Sequence, residues 1–502
     1  MEAANSISSF EQQSKIGNQQ SKIWWLGACL GLGLGLALRV GAVVAFQFSP
    51  AIHVGGRVIV CPATHPLFPD TIEYLRVAEN VRLGKGFMVS DDCLIGRMPG
   101  YPVFLALIQI AFGESMLAAR LAQALVGTAL IAIAWLLARE LYGEREAHVA
   151  AAFVALYPPF ILYTVLLLSE TLFTALVACG GLWLARAVRP EAGGQRGEGE
   201  AEDRKPSDLV PTASGLAPPV AAILAGVFLG LATLVRASLL LFIGLAAVAW
   251  VLARLARCLP KVSDLREGMP GALGLEDSAE YPPEGVKPSG GGPPGGKGAW
   301  RATGLAALML ATFALTMAPW VVRNYSASGG HFVTTTLRAG ASLYEALNPA
   351  ADGGPMMEKI DWDWGTKGLG EWERDQLWRQ RAAEFARENP VRVLDLALRK
   401  LGRFWNPMPN ATEFQSPVLV GAMAPPFAIA AALGLVGLWA SRRRGRALLI
   451  LLLPVVYYSG LHTVFVSSIR YRDPVMPFIL ILAACGATRL WGGRGACPDR
   501  NS

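Results

Sequence analysis

Residues 115–138, SMLAARLAQALVGTALIAIAWLLA, decide the architecture. The run carries one charged side chain, Arg120, and is long enough to cross a bilayer as a helix, which takes about 20 apolar residues. Runs of the same kind recur at about 24–47, 147–166, 168–187, 218–235, 237–256, 302–322, 417–440, 447–465 and 474–491. Composition agrees with this reading. The chain has 502 residues, 53% of them hydrophobic and 17% charged, with a mean hydropathy of +0.38, whereas soluble domains carry about 25% charged residues. The expected fold is an all-α polytopic membrane protein. It is a bundle of about ten transmembrane helices with two long extracytoplasmic segments containing interfacial helices.

An even number of spans puts both ends of the chain on one side. Lys and Arg in short connections collect on the cytoplasmic face. Arg139 with Arg145, Arg186 with Arg189, Arg442-Arg443-Arg444-Gly445-Arg446, and Arg489 with Arg494 all fall on the side of the N-terminus. That side is therefore read as cytoplasmic, and the expected location is the cell (plasma or inner) membrane. The organisation follows: a cytoplasmic tail over 1–22, a membrane domain over 23–492 and a second tail over 493–502. Trp24–Phe48 is too long and too Gly-rich for a signal-peptide core and reads as a retained span. The flanking cations also account for the net charge of +7. No basic stripe with interleaved aromatics appears, so nucleic acid is not an expected partner.

Two cytoplasmic loops, 188–217 and 257–301, are rich in Gly, Pro and Glu; PSGGGPPGGKG lies in the second. They have too little apolar surface to offset chain entropy and are read as disordered. On the other side lie the first extracytoplasmic loop, 48–114, and a second large segment, 323–416. In the latter, Glu371–Glu388 and Val391–Trp405 place apolar residues at helical spacing beside basic ones. Two readings fit such helices: lying in the headgroup layer or packed on the bundle. The seven cysteines show no metal-ligand spacing. Cys61 and Cys93 share the first outer loop and could pair if that side is oxidising.

The charged residues at the outer ends of the spans are the candidates for chemistry. Asp70 could act as a general base toward a hydroxyl. Equally, Pro69-Asp70-Thr71-Ile72-Glu73 fits a helix start with Asp70 as N-cap. Tyr74 follows on the same helix, and Gly84 and Gly86 end it. Arg97, in the turn RMPGYP with Tyr101, suits phosphate oxygens by its planar guanidinium, or else binds bulk lipid headgroups. Glu170 is an acid close to hydrocarbon, which marks a functional site, or a helix-start acid with Ser169 as cap. Arg236, Arg323, Arg470 and Arg472 each sit at a membrane exit, where several could converge on one phosphate or simply anchor helix ends. His462 lies two turns before Arg470 and reads as a bundle hydrogen-bonder or a catalyst. There is no GxxxxGK[ST] loop, dinucleotide GxGxxG unit, HExxH or G-x-S-x-G elbow, which argues against nucleotide-driven transport and zinc proteolysis.

Six stretches occur in a fixed order: D-x3-Y-x3-A-E-N-x3-G-x-G-F (Asp70 to Phe87), R-x-P-G-Y-P-x-F-L-A (Arg97 to Ala106), L-x-S-E-T-L-F (Leu167 to Phe173), G-L-A-T-L-x-R (Gly230 to Arg236), P-W-x-x-R-N (Pro319 to Asn324) and R-Y-R-x-P-x-M-P (Arg470 to Pro477). With them the chain resembles the integral-membrane glycosyltransferases of the C superfamily. The likeness is to glycosyltransferase family 39, which includes protein-mannosyltransferase-like and RgtA/B/C/D-like enzymes. The resemblance implies a hexosyl- or pentosyltransferase that works outside the cytoplasm. Its donor would be a polyprenyl-phosphate-linked sugar, and its acceptor a hydroxyl on a lipid, glycan or protein. Asp70 would be the catalytic base of an inverting displacement. Arg97, Arg323, Arg470 and Arg472 would be donor-phosphate ligands, and Tyr74, Tyr101 and His462 supporting residues. Glu170 matches a second acidic position, often Asp in relatives, with a role in acceptor or metal binding. No cofactor is certain, and a divalent cation is compatible with the pattern. The alternative is a lipid-linked-sugar flippase or transporter, for which Arg39 inside the first span is the main support.

Overall fold

The computed structural model describes residues 27–49, 51–54, 57–60, 68–189, 217–258, 296–357, 360–410 and 415–492. The two loops read as disordered fall largely outside the described residues, as do both tails and Cys61 of the suggested disulfide. Cys93 is a free thiol.

The protein is a polytopic helical membrane protein. Its helices are α1 (Gly27–Gln47), α2 (Pro69–Arg82), α3 (Gly100–Phe112), α4 (Met116–Leu141), α5 (Glu144–Leu156), α6 (Pro158–Val165), α7 (Glu170–Ala187), α8 (Pro218–Val235) and α9 (Phe242–Cys258). They continue with α10 (Gly296–Ala327), α11 (Ala339–Ala346), α12 (Glu371–Glu388), α13 (Pro390–Trp405), α14 (Pro417–Ala440), α15 (Gly445–Val464) and α16 (Met476–Gly492). Eight of the described helices are long and apolar enough to span a membrane, or nine if the bent pair α5–α6 counts as one. The tenth expected span is α7, whose ends carry Glu170 and Arg186 and which is buried between α4 and α8. Two short strands pair as a hairpin, β1 (Ala51–Val54) against β2 (Arg57–Val60), antiparallel with Ala51 opposite Val60, and Ser90 and Cys93 form an isolated bridge.

Small residues set the helix spacing. On α8, Gly226 and Gly230 face α10, where a Cβ at Gly230 would lie 2.8 Å from Thr316 Cβ. This is how helices approach closely in lipid, where apolar burial gives no drive to associate.

The fold also explains its intramembrane arginine. Pro158 and Pro159 bend the chain by 47° between α5 and α6. Lacking N–H groups, they cannot bond the carbonyls of Val154 and Ala155 four residues back. Arg39 supplies those bonds from α1, with Nη2 donating to Val154 O and Nη1 to Ala155 O, each at 3.3 Å. Gly127 on α4 leaves room for it: a Cβ there would lie 2.8 Å from Arg39 Nε. The carbonyls at the end of α6 are served the same way. Gln123 Nε2 donates to Thr164 O at 3.0 Å and Leu166 O at 2.8 Å, and Arg120 Nε donates to Val165 O at 3.1 Å. Tyr101 donates to Gln123 Oε1 at 2.6 Å, and Thr71 Oγ1 donates to Leu167 O at 3.1 Å. The non-helical link 166–169 is thereby fixed from α2, α3 and α4, and Glu170 starts α7 directly after it.

Helices α12 and α13 have the expected ranges within a residue. On α13, Leu396, Lys400 and Phe404 are buried, while Val391, Leu394 and Leu398 form an exposed apolar strip. One face of this helix is thus packed on the protein, as the second reading expects, and the other is left uncovered. Lys400, fully buried, donates from Nζ to the carbonyl of Val464, the last residue of α15, at 2.7 Å, and burial pushes its ammonium down to about 8.

Candidate functional site

Seven charged side chains meet at one end of the bundle and alternate in sign. Arg338, just before α11, donates to both Glu73 oxygens at 2.8 and 3.0 Å. Arg97, in the turn before α3, donates from Nε to Glu73 at 2.6 Å and from Nη2 to Asp70 at 2.6 Å. Arg470 donates from Nη2 to Asp70 Oδ2 at 3.0 Å and from Nε to Glu170 Oε1. Arg236, at the end of α8, donates to the same Glu170 oxygen at 2.8 Å. Four guanidinium charges against three carboxylates leave one positive charge in excess. Exposure differs along the series: the Arg338 side chain at one end is 33% exposed, that of Arg236 at the other 18%, and that of Glu170 between its two arginines 1%.

The expected caps are replaced by ion pairs. Helix α2 starts from Phe68 with Pro69 in its first turn and no side-chain cap, so Asp70 lies inside the helix and turns its carboxylate to Arg97 and Arg470. Ser169 has helical backbone angles and also makes no cap bond; it receives the Tyr74 hydroxyl at 3.4 Å instead. Burial alone would raise the Asp70 carboxyl, but the charges of Arg470 and Arg97 outweigh it and hold it far below the usual carboxylate range. Glu73 is likewise held low: burial opposes, and Arg97 and Arg338 prevail. Burial works against the Arg97 charge, and Tyr74, Asp70 and Glu73 more than offset it, so its pKa rises.

Each member is carried to its place by a separate device. The Glu371 carboxylate at the start of α12 accepts from Leu94 N at 2.9 Å and Ile95 N at 3.0 Å, which fixes the turn that holds Arg97. Leu337 N bonds Ile95 O at 3.0 Å and brings Arg338 alongside. A Cβ on Gly100 would meet the Leu234 carbonyl at 2.9 Å, so glycine lets the Arg97 turn reach the end of α8. Tyr457 donates to Ser238 O at 2.6 Å and ties the turn after Arg236 to α15. Arg470 itself lies in a 3₁₀ helix, Ile469–Val475, between α15 and α16.

Of the candidates read from the sequence, Asp70, Glu170, Arg97 and Arg470 come together directly. Tyr74 lies beneath Arg97, 5.0 Å from ring centre to guanidinium. Tyr101 acts one step back, through Gln123. Arg323 stands apart, over Trp320 at 5.0 Å and donating to Phe87 O at 2.9 Å. Its neighbours in the P-W-x-x-R-N stretch have another use: Trp320 Nε1 and Asn324 Nδ2 each bond Thr335 O at 2.9 Å, holding the segment that leads to Arg338. Arg472 points away from the cluster. It donates to the carbonyls of Phe404 and Asn406 at 3.0 Å each and fastens the end of α13. His462 bonds Val466 O at 2.9 Å and stacks on Tyr471 at 4.7 Å, a packing position. Arg236, read from the sequence as one of the membrane-exit cations that could converge, also joins the cluster; Glu73 is visible in the sequence only as part of a helix-start motif, and Arg338 has no motif to mark it.

Among the described residues no three His, Cys, Asp or Glu side chains group as metal ligands would. Asp70 and Glu170 each give one oxygen to Arg470.

A helical membrane bundle with charged groups gathered at one end is the class of protein that fold and site define. Residues 97–195 match the family model described as dolichyl-phosphate-mannose-protein mannosyltransferase. The matched region runs from the Arg97 turn through α7, and the chain resembles C-superfamily glycosyltransferases. It is similar to the structure of ArnT from Cupriavidus metallidurans bound to undecaprenyl phosphate (15% identity, 93% of this chain, 61% of that one, TM-score 0.49). It is also similar to the archaeal oligosaccharyltransferase AglB from Archaeoglobus fulgidus in complex with an inhibitory peptide and a dolichol-phosphate (12% identity, 94% of this chain, 51% of that one, TM-score 0.48). The chain thus spans between half and two thirds of the length of these two structures. No curated protein sequence matches it.

Proposed function

We propose that this protein transfers a sugar from a polyprenyl-phosphate donor to a hydroxyl acceptor on the extracytoplasmic side of the membrane, with inversion and with Asp70 as general base. The observation that carries the reading is the alternating chain Arg338–Glu73–Arg97–Asp70–Arg470–Glu170–Arg236, whose single excess positive charge matches a phosphodiester. Nη1 of Arg97, Nη1 of Arg470 and Nη2 of Arg236 take no part in these pairs, so each has donors for phosphate oxygens.

In the reaction, the acceptor oxygen attacks the anomeric carbon from the face opposite the phosphate. Its proton passes to Asp70 as the new C–O bond forms and the bond from the anomeric carbon to the phosphate oxygen breaks. The departing polyprenyl phosphate carries one more negative charge than the donor did. Arginines already fixed beside that oxygen favour the charge as it grows, with no reorganisation cost at the moment of reaction. Asp70 stays ionised at neutral pH. As Arg97 and Arg470 turn toward phosphate, they bind it less tightly, which raises its basicity when substrate is present.

Transport has less support. Arg39 caps the carbonyls freed by Pro158 and Pro159 and needs no ion pathway to explain it. Replacing Asp70 with Asn should leave a folded, inserted protein whose transfer rate falls by about 10²–10⁴, the range for a lost general base. Mass analysis of glycolipids and glycoproteins from a deletion strain complemented with each form identifies the acceptor and reads the loss. Undiminished transfer by the Asn variant would remove Asp70 from the mechanism.

A further inference from the structure

Glu170 gives one oxygen to two arginines, whereas its Oε2 is buried without a hydrogen-bond partner. Asp473, 4% exposed, has its Oδ2 in the same state. Both residues line one small cavity, together with Tyr163, Thr171 and Thr174 on its polar side and Leu130 and Phe160 on its apolar side. About 10 Å³ of it is open to the centre of a water-sized sphere, close to the roughly 10–15 Å³ that holds a single water.

Two ionised carboxylates cannot share such a space unaided. A bare carboxylate oxygen in an apolar setting is costly, and two of them repel. The surrounding charges leave this uncorrected. Arg470 and Arg236 act on the far oxygen of Glu170. Arg472 spends its Nη1 on the carbonyls of Phe404 and Asn406, and from α6 the Tyr163 hydroxyl faces Asp473 while Tyr157, just before α6, faces Arg472. A neutral carboxyl group, by contrast, is both donor and acceptor. With one water it can supply every lone oxygen here.

We propose that the cavity holds one water and one proton between Glu170 and Asp473, with Asp473 the neutral partner. Asp473 is then a positioning residue: it keeps a hydrogen-bond donor on the free oxygen of Glu170 and so steadies the carboxylate that orients Arg470. The consequence for catalysis rests on the transferase reading above; the protonation state does not.

Infrared spectroscopy of the full chain in nanodiscs tests it without substrate. Wild-type protein carrying ¹³C-carboxyl aspartate should show a protonated-acid C=O band, moved by the label and by exchange into D₂O, that is missing from Asp473→Asn. A spectrum without an aspartate band of this kind, or one that persists in Asp473→Asn, overturns the proposal. Should that variant not fold, the labelled wild-type spectrum decides alone. With transfer activity in hand, the wild type should lose rate at alkaline pH as the shared proton leaves. Asp473→Asn, whose N–H donor cannot titrate, should flatten that limb. Superimposable pH profiles would refute the positioning role.

Discussion

Replacing Arg470 with Gln removes the one cation shared by Asp70 and Glu170. The Glu170 side chain is 1% exposed and would keep only Arg236. Breaking a buried ion pair costs about 3–5 kcal/mol, and with Arg236 still bonded the lower end, about 3 kcal/mol, is the expected loss. Arg338→Gln is the matched control at the other end of the chain of charges. Its side chain is 33% exposed and Glu73 retains Arg97, so the expected loss is about 0–1 kcal/mol, as for surface pairs. Reversible unfolding in mixed micelles with SDS gives both values and needs no substrate. Combining Arg470→Gln with Glu170→Gln should recover part of the loss, with a coupling of about 0.5–3 kcal/mol. Arg338→Gln with Glu170→Gln should simply add. Equal costs for the two arginines, or no coupling between Arg470 and Glu170, would refute the reasoning from burial and pairing.

Other outcomes follow from the same geometry. Because Asp70 and Glu73 titrate below their ordinary values when folded, the stability they contribute is complete above about pH 4, the unfolded carboxylate range, and is lost as pH falls through the folded values. Unfolding measured against pH should show no loss from this pair between neutrality and about pH 5. Gly127→Ala would put a Cβ 2.8 Å from Arg39 Nε and should destabilise by about 1–3 kcal/mol through overpacking. The same change in an Arg39→Met background should cost less, and equal costs would contradict the capping role of Arg39. Reporter fusions at Gly86 and Asp352 should read as extracytoplasmic and at Gly292 as cytoplasmic; an inward reading at Gly86 would put Asp70 on the wrong side for the proposed donor.

Spanning runs such as 115–138 are legible in the sequence because hydropathy alone dictates helix in a bilayer, and α4 duly covers Met116–Leu141. The amphipathic pair α12 and α13 is equally legible from its spacing. The local readings of Asp70 and Ser169 as caps go the other way. Capping motifs depend on four residues, whereas the charges around these positions answer to arginines far along the chain: Arg470 is 400 residues from Asp70. For the same reason Arg338, 265 residues from Glu73, cannot be singled out in advance. Arg472 looks equivalent to Arg470 in the sequence, and the 3₁₀ turn sends the two in different directions. The role of Arg39 is half legible, since Pro158-Pro159 announces two carbonyls without donors; what the sequence lacks is which span would face them.

The order in which the charged cluster is synthesised has a consequence for how the protein is made. Its acids, Asp70, Glu73 and Glu170, all precede three of its four bases, Arg236, Arg338 and Arg470. During insertion Glu170 therefore enters the bundle before either of its partners exists. Until Arg236 is added, the cluster holds three carboxylates and only Arg97, and it turns net positive only when Arg470 arrives. The ribosome must deliver the polypeptide through Arg470 before this end of the bundle closes. Products truncated before Arg338 should then carry an unsettled, acidic membrane face, the kind of defect by which membrane quality control can tell unfinished chains from finished ones.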